Sequence, residues 1–186
     1  ARLSQIIPID VPPGAKKETE TNVKIAVEWA RKPTKWMLLT GGTGTAKSHI
    51  LFALRRAVGG FGYYITASDL VQSLNDAVAM NETSELVHDL IHAPFLFIDD
   101  YGMEHRSGKN YGINLMTHVL DQRYLLKGRA PVVMATNLSL RELQTDSVEN
   151  VVRAGSRMMD SDLSKVLIFS QADFRLATTK AEAGIK

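Results

Sequence analysis

Trp36-Met37-Leu38-Leu39-Thr40-Gly41-Gly42-Thr43-Gly44-Thr45-Ala46-Lys47-Ser48, continuing into His49-Ile50-Leu51-Phe52-Ala53-Leu54-Arg55-Arg56, is the stretch on which the fold reading rests. Its first five residues are a short apolar run of strand type. Its last eight have helical periodicity. Between them, residues 41–48 follow the pattern G-x-x-x-x-G-K-[ST] at every fixed place but one. Gly41, Lys47 and Ser48 hold their positions, and Ala46 stands where the second glycine is expected. A strand feeding a glycine-rich turn that opens a helix aims backbone N–H groups and the positive helix end at an anion. In that geometry Gly41, Gly42, Thr43, Gly44, Thr45, Ala46 and His49 surround a triphosphate. Lys47 reaches the β- and γ-phosphates, and the Ser48 hydroxyl is a ligand for Mg²⁺. ATP or ADP with Mg²⁺ is the expected ligand.

The residue at position 46 has two possible costs. A methyl there is worth on the order of 1 kcal/mol of strain if φ is positive, and little if the backbone is already helical. Nucleotide binding is expected to survive either way, with hydrolysis the more exposed step.

The rest of the chain alternates strand-type and helix-type segments. A helix is expected over Asn22–Arg31, ended by Pro33, and another follows the loop to about Val58; Ala67-Ser68-Asp69 reads as the cap of a helix carrying Leu70, Val71 and Leu74, and after a break near Asn81 a further helix covers Glu85–His92. Strands are expected at 35–40, 63–66, 94–100, 132–136 and 166–169. Ile113, Met116, Leu120 and Tyr124 mark an amphipathic helix stopped by Gly128. This alternation predicts an α/β fold, a five-stranded, mostly parallel sheet between helices. Residues 1–22, with Pro8, Pro12, Pro13 and Gly14, read as an extended N-terminal arm. Residues 23–176 form the ATPase domain and 177–186 a polar tail, with no C-terminal lid domain after the last strand.

Bulk composition narrows the function classes. The chain has 186 residues, 45% apolar and 23% charged, enough for one domain with a real core. Its net charge is +2 (22 basic less 20 acidic), so any nucleic-acid site must be local. There are no cysteines, which excludes a disulfide framework and thiolate metal sites, and fits a reducing, cytoplasmic setting. No apolar run approaches the roughly 20 residues of a membrane span, so no membrane partner is expected. His49, His88, His92 and His118 lack partners at zinc-binding spacing.

Phe95-Leu96-Phe97-Ile98-Asp99-Asp100 is an apolar run ending in two acids. Buried parallel strands read as continuous apolar runs, and ligands sit beyond their carboxyl ends. Asp99 is therefore placed to hold Mg²⁺ through water, and Asp100 to orient or deprotonate the attacking water. Asn137, just after the strand 132–136, is placed to position that water near the γ-phosphate. Arg153 and Arg157 lie four residues apart on one helical face and show no evident partner within the chain. They are either a solvated basic face or, since a forked guanidinium matches phosphate, a pair that completes a neighbouring subunit's site. Tyr101, His105, Arg106 and Lys109 form a loop segment able to touch nucleic acid, or simply a solvated one.

Taken together, GGTGTAKSH, YYITASDLVQSL, FLFIDDYGMEH, VVMATNLSLREL, RAGSRMMD and ADFR, in this order and spacing, resemble the AAA+ ATPases of the DnaC/DnaI-like helicase loader type. The IstB-like transposase helper ATPases are their sister group. The resemblance implies a P-loop NTPase with an AAA+ core, Lys47 and Ser48 in Walker A, Asp99 and Asp100 in Walker B, and Asn137 as sensor 1. It also implies Arg157 as an arginine finger assisted by Arg153, and Arg175 near nucleotide. The implied partners are a replicative helicase, single-stranded DNA and further copies joined through nucleotide-bridged interfaces. Helices 67–93 match an element that such proteins use near single-stranded DNA. Loaders usually add an N-terminal domain that grips the helicase; residues 1–22 are too short for one, so either the chain is an isolated ATPase module or the arm itself docks on a partner. The alternatives are a transposase helper, or a scaffold whose hydrolysis Ala46 has weakened.

Overall fold

The computed structural model describes residues 13–102, 111–146 and 149–170. Five strands form one sheet: β1 (Trp36–Gly41), β2 (Tyr63–Thr66), β3 (Leu96–Tyr101), β4 (Val132–Thr136) and β5 (Ser164–Phe169). Their order is β2-β3-β4-β1-β5, and every pairing is parallel. The expected mostly parallel sheet is therefore parallel throughout these strands. Helices α1 (Pro13–Arg31) and α2 (Lys47–Ala57) cover one face. The helices α3 (Ala67–Met80), α4 (Thr83–His92), α5 (Tyr111–Leu125) and α7 (Glu149–Met158) cover the other, and α6 (Leu140–Thr145) leads into α7.

The two-residue period of the strands divides the core. Trp36, Leu38, Leu96, Ile98, Val132 and Met134 point into the α3–α5 side. Met37, Leu39, Phe97, Val133 and Ala135 point into the α1–α2 side. Both faces are covered, which is why these strands are apolar at nearly every position.

Two sequence expectations change. Residues 13–22, expected to be part of an extended arm, are the first half of α1, while residues 1–12 lie outside the described chain. Proline at the first helical position costs nothing, because that N–H has no intrahelical partner. The new turns are tied to the edge strand β5: Asn22 Nδ2 donates to the Ile168 carbonyl at 2.7 Å, and Ser170 N donates to Glu18 Oε1 at 2.7 Å. Thr19 is fully buried in the same contact region. An edge strand with open backbone groups is thereby covered by a helix. Second, Tyr101 is not a loop residue that can stack on a base. It ends β3 with its side chain 1% exposed in the core. His105, Arg106 and Lys109 fall outside the described residues.

Candidate nucleotide-binding site

Every group of this site is delivered by the carboxyl end of a strand or by the helix start that follows it. β1 ends at Gly41, whose φ of +146° and closeness to the Phe169 carbonyl exclude a side chain: a Cβ would come within 2.1 Å of that oxygen. The chain then turns through Gly42–Ala46 and opens α2 at Lys47. A cleft of about 430 Å³ lies against this turn, lined by Thr43, Gly44, Thr45, Ala46, Lys47, Ser48, His49, Asp100 and Asn137. Its size is that of a small-molecule site.

Lys47 is 6% exposed, and its ammonium is the hub of the turn. Nζ donates to the Gly41 carbonyl at 2.8 Å, the Gly42 carbonyl at 2.7 Å and Asn137 Oδ1 at 2.9 Å, with Thr45 Oγ1 at 3.3 Å. An ammonium has three protons. A phosphate oxygen at Nζ must therefore displace one of these neutral acceptors, an exchange favoured because a charged acceptor makes the stronger bond. Asn137 is carried on the exit of β4, which two threonines pin. Thr40 Oγ1 donates to the Leu138 carbonyl at 2.6 Å, and Thr136 Oγ1 donates to the Tyr101 carbonyl at 2.7 Å while accepting from Leu138 N at 3.1 Å. Neither threonine carried a sequence signal; both look like ordinary β-branched strand residues.

Asp99 is 6% exposed and both its oxygens are engaged. Oδ1 accepts from Ser48 Oγ at 3.1 Å and from Asp100 N at 3.0 Å, and Oδ2 accepts from Tyr64 OH at 3.0 Å. Burial first, then the Asp99 charge and the hydrogen bond to it, push the Tyr64 hydroxyl up to about 12, so it remains a donor at neutral pH. Consecutive residues of a regular strand point to opposite faces, which would send Asp100 away from the loop. Here the β3–β4 register shifts between Ile98 and Tyr101, and Asp100 adopts φ +51°. This bulge turns Asp100 out to line the cleft while Asp99 stays beside Ser48.

Ala46 falls on the costly branch. Its φ is +67° and ψ +15°, the left-handed region, where a Cβ crowds the following carbonyl. Ala46→Gly relieves that strain but frees the unfolded chain, so the net gain is expected to be about 0.5–1 kcal/mol. Urea unfolding measures it; a lowered midpoint would show that the strain relieved is smaller than the cost of the freer unfolded chain.

The arginines do not lie free. Arg157 Nη2 pairs with Asp121 Oδ1 at 2.8 Å and Arg153 Nη2 with Asp121 Oδ2 at 2.7 Å. The Arg157 guanidinium also lies 5.5 Å from the centroid of the Tyr124 ring. The expectation of no partner within the chain is therefore corrected. Asp121 and Tyr124 stand on α5, a separation of 32–36 residues that no local pattern reveals. Neither arginine lines the cleft of its own chain. Arg175 lies outside the described residues.

The helical element α3–α4 is present between β2 and β3, but its surface is acidic. Residues 67–93 contain Asp69, Asp76, Glu82, Glu85 and Asp89 and no lysine or arginine. All five acids are exposed. Such a surface repels a phosphate backbone.

The donor set fits a nucleotide with its metal. Main-chain N–H groups at a helix start and a buried ammonium suit phosphate, and a hydroxyl touching a carboxylate is an oxygen pair of the kind Mg²⁺ prefers. A parallel sheet of this order, with the loop between β1 and α2, two acids ending β3 and a polar amide ending β4, defines the AAA+ class of P-loop domains. The chain belongs to the family of IstB-like ATP binding proteins, whose model matches residues 21–161. No curated protein matches the chain. Among solved structures it is similar to the DnaC helicase loader, with 20% identity, 91% of this chain and 97% of that one covered, and a TM-score of 0.65. It is similar to domain III of the Thermotoga maritima replication initiation protein DnaA, with 18% identity, coverage of 97% and 71%, and a TM-score of 0.71. It is also similar to a replication initiator DnaA bound to AMPPCP and single-stranded DNA, at 18% identity and a TM-score of 0.69. The chain is covered in full there but spans 56% of that protein, about half its length. At such identities the likeness is one of fold. No helix among the described residues is long and apolar enough to cross a membrane.

Proposed function

We propose that this chain is a nucleotide-switched AAA+ ATPase of the loader type, which helps place a replicative helicase on single-stranded DNA. One observation carries the reading: Lys47, Ser48, Asp100 and Asn137 line a single cleft at the carboxyl end of the sheet, and Asp99 is bonded to Ser48 at its wall. Lys47 and the loop N–H groups would hold the β- and γ-phosphates, and Ser48 with Asp99 would hold Mg²⁺. When bound, Mg²⁺ supplies charge neutralisation on the phosphate oxygens. Asn137 orients a water in line with the γ-phosphorus, and an Asp100 carboxylate oxygen accepts its proton as the new O–P bond forms and the bridging P–O bond breaks. ADP and phosphate leave.

Arg157 acts in trans in this reading. It is 21% exposed where α7 meets α5, so reaching a neighbour's phosphate exchanges Asp121 for another anion. Arg157→Ala is expected to leave nucleotide binding within about twofold and to slow hydrolysis at least about tenfold. Mixing it with an Asp100→Asn chain restores part of the activity only if the finger serves a neighbour. No restoration at any mixing ratio refutes the trans assignment.

The match to the IstB-like family favours a second reading, an ATP-controlled helper of a transposase on duplex DNA. Phosphate release and assembly mass, measured with single-stranded DNA, with duplex DNA and with a replicative helicase, separate the two. Stimulation by single strands and capture of the helicase support the loader; stimulation by duplex alone supports the helper. A protein that binds ATP but releases no phosphate under any condition would be the weakened scaffold.

A further inference from the structure

Tyr64 lies in the segment YYITASDLVQSL but is none of the residues assigned to phosphate, cation or water above. It stands on β2, the edge strand, paired with Phe97 in register, which places it diagonally across from Asp99 on the same face of the sheet. That distance suits a long aromatic side chain, and the phenol closes it with a 3.0 Å bond to Asp99 Oδ2. The ring itself is fixed from the other side. Phe52, one helical turn beyond Ser48 on α2, packs edge-on against it, with centroids 5.9 Å apart and planes at 86°.

We propose that Tyr64 is a positioning residue for the divalent cation. By tying Oδ2, it fixes the carboxylate so that Oδ1 faces the Ser48 hydroxyl. The inference rests on the reading of Ser48 and Asp99 as the Mg²⁺ site. A carboxylate has two equivalent oxygens and rotates about one bond. With Oδ2 unheld, only the bonds from Ser48 Oγ and Asp100 N to Oδ1 restrain that rotation, and the oxygen offered to the cation is less firmly set. Partners of this kind, one bond removed from the metal's own ligands, are typically worth 10–100-fold in metal affinity. Phe52 completes the device by restricting the phenol ring, so the helix that carries Ser48 also sets the group that aims Asp99.

The test uses Tyr64→Phe in the full chain, which keeps the ring and its contact with Phe52. Affinity for a fluorescent ATP analogue is followed while Mg²⁺ is titrated from a chelated baseline, and Mn²⁺ binding in the presence of the analogue is read by electron paramagnetic resonance. The expected result is a rise of about tenfold in the Mg²⁺ and Mn²⁺ half-saturation concentrations. The metal-free affinity stays with the wild type, which a merely structural role would not produce. Phe52→Ala, which keeps the hydroxyl but frees the ring, shifts the same curve by a smaller factor. Coincident metal titrations overturn the inference, as does an equal loss of affinity with and without metal. A wild-type protein that binds the analogue without any dependence on Mg²⁺ overturns the metal site itself, and one that binds no analogue overturns the nucleotide site.

Discussion

Lys47→Ala is expected to lower affinity for an ATP analogue by about a hundredfold or more. In the wild type, phosphate oxygens would replace neutral acceptors around Nζ, and hydrogen bonds to charged groups contribute about 1.5–3 kcal/mol each. Two such bonds lost is a loss of about 3 kcal/mol or more, a factor above one hundred. The lysine also closes the loop by bridging the Gly41 and Gly42 carbonyls to Asn137. Its removal therefore loosens the cradle as well as deleting the charge. Lys47→Arg should not rescue, because a planar guanidinium cannot enter a site that encloses a compact ammonium 6% exposed. The sheet beneath does not depend on this side chain, so circular dichroism should be unchanged. Titration of the fluorescent analogue decides the matter: an affinity equal to the wild type's would mean that phosphate does not sit at Nζ.

The loop, the five strands and the two acids were legible because each is a local pattern. Glycine spacing, apolar runs and a carboxylate after a strand all lie within a few residues of one another. Features that depend on partners far along the chain were not. Asp121 meets Arg153 and Arg157 only after α5 and α7 pack together, so the arginines looked unpaired. Tyr64 meets Asp99 across a β-ladder, 35 residues away. The bulge at Asp100 was equally hidden, because an aspartate at φ +51° has no sequence mark. The start of α1 carries one local signal, Pro13 at the first helical position, and it is a weak one because no acid stands in the first turn and Lys16 and Lys17 oppose the helix dipole there. Ala46 was read correctly as a question of φ, and only coordinates fix φ.

Arg123→Met is expected to be strongly destabilising although it lies away from the nucleotide site. Arg123 is completely buried, and among the described residues its hydrogen-bond partners are all main-chain carbonyls. Nη1 donates to the carbonyls of Leu90 at 2.6 Å, Ile91 at 3.2 Å and Ala93 at 3.0 Å, and Nη2 donates to that of Pro131 at 2.9 Å. The first three lie at the end of α4, where helix carbonyls lack intrahelical partners and the dipole is negative. One guanidinium thus caps a helix and joins it to the segment entering β4. Burial pushes its pKa down to about 10, and the four acceptors keep it charged throughout the neutral range. Methionine fills similar volume and spares the desolvation of the charge, but leaves three carbonyls buried without a donor. Orphaned acceptors cost about 1–3 kcal/mol each, so a net loss of about 3 kcal/mol or more is expected. For a domain of this size that lowers the thermal midpoint by about 6–12 °C. Arg123→Lys should recover only part of the loss, because an ammonium cannot reach both the α4 end and Pro131 as a planar fork does. The residue sits at the amino end of β3, and the cleft lies at the carboxyl end. The folded variant should therefore bind nucleotide as the wild type does. Urea unfolding that shows a loss below about 1 kcal/mol would mean that water reaches these carbonyls once the guanidinium is gone.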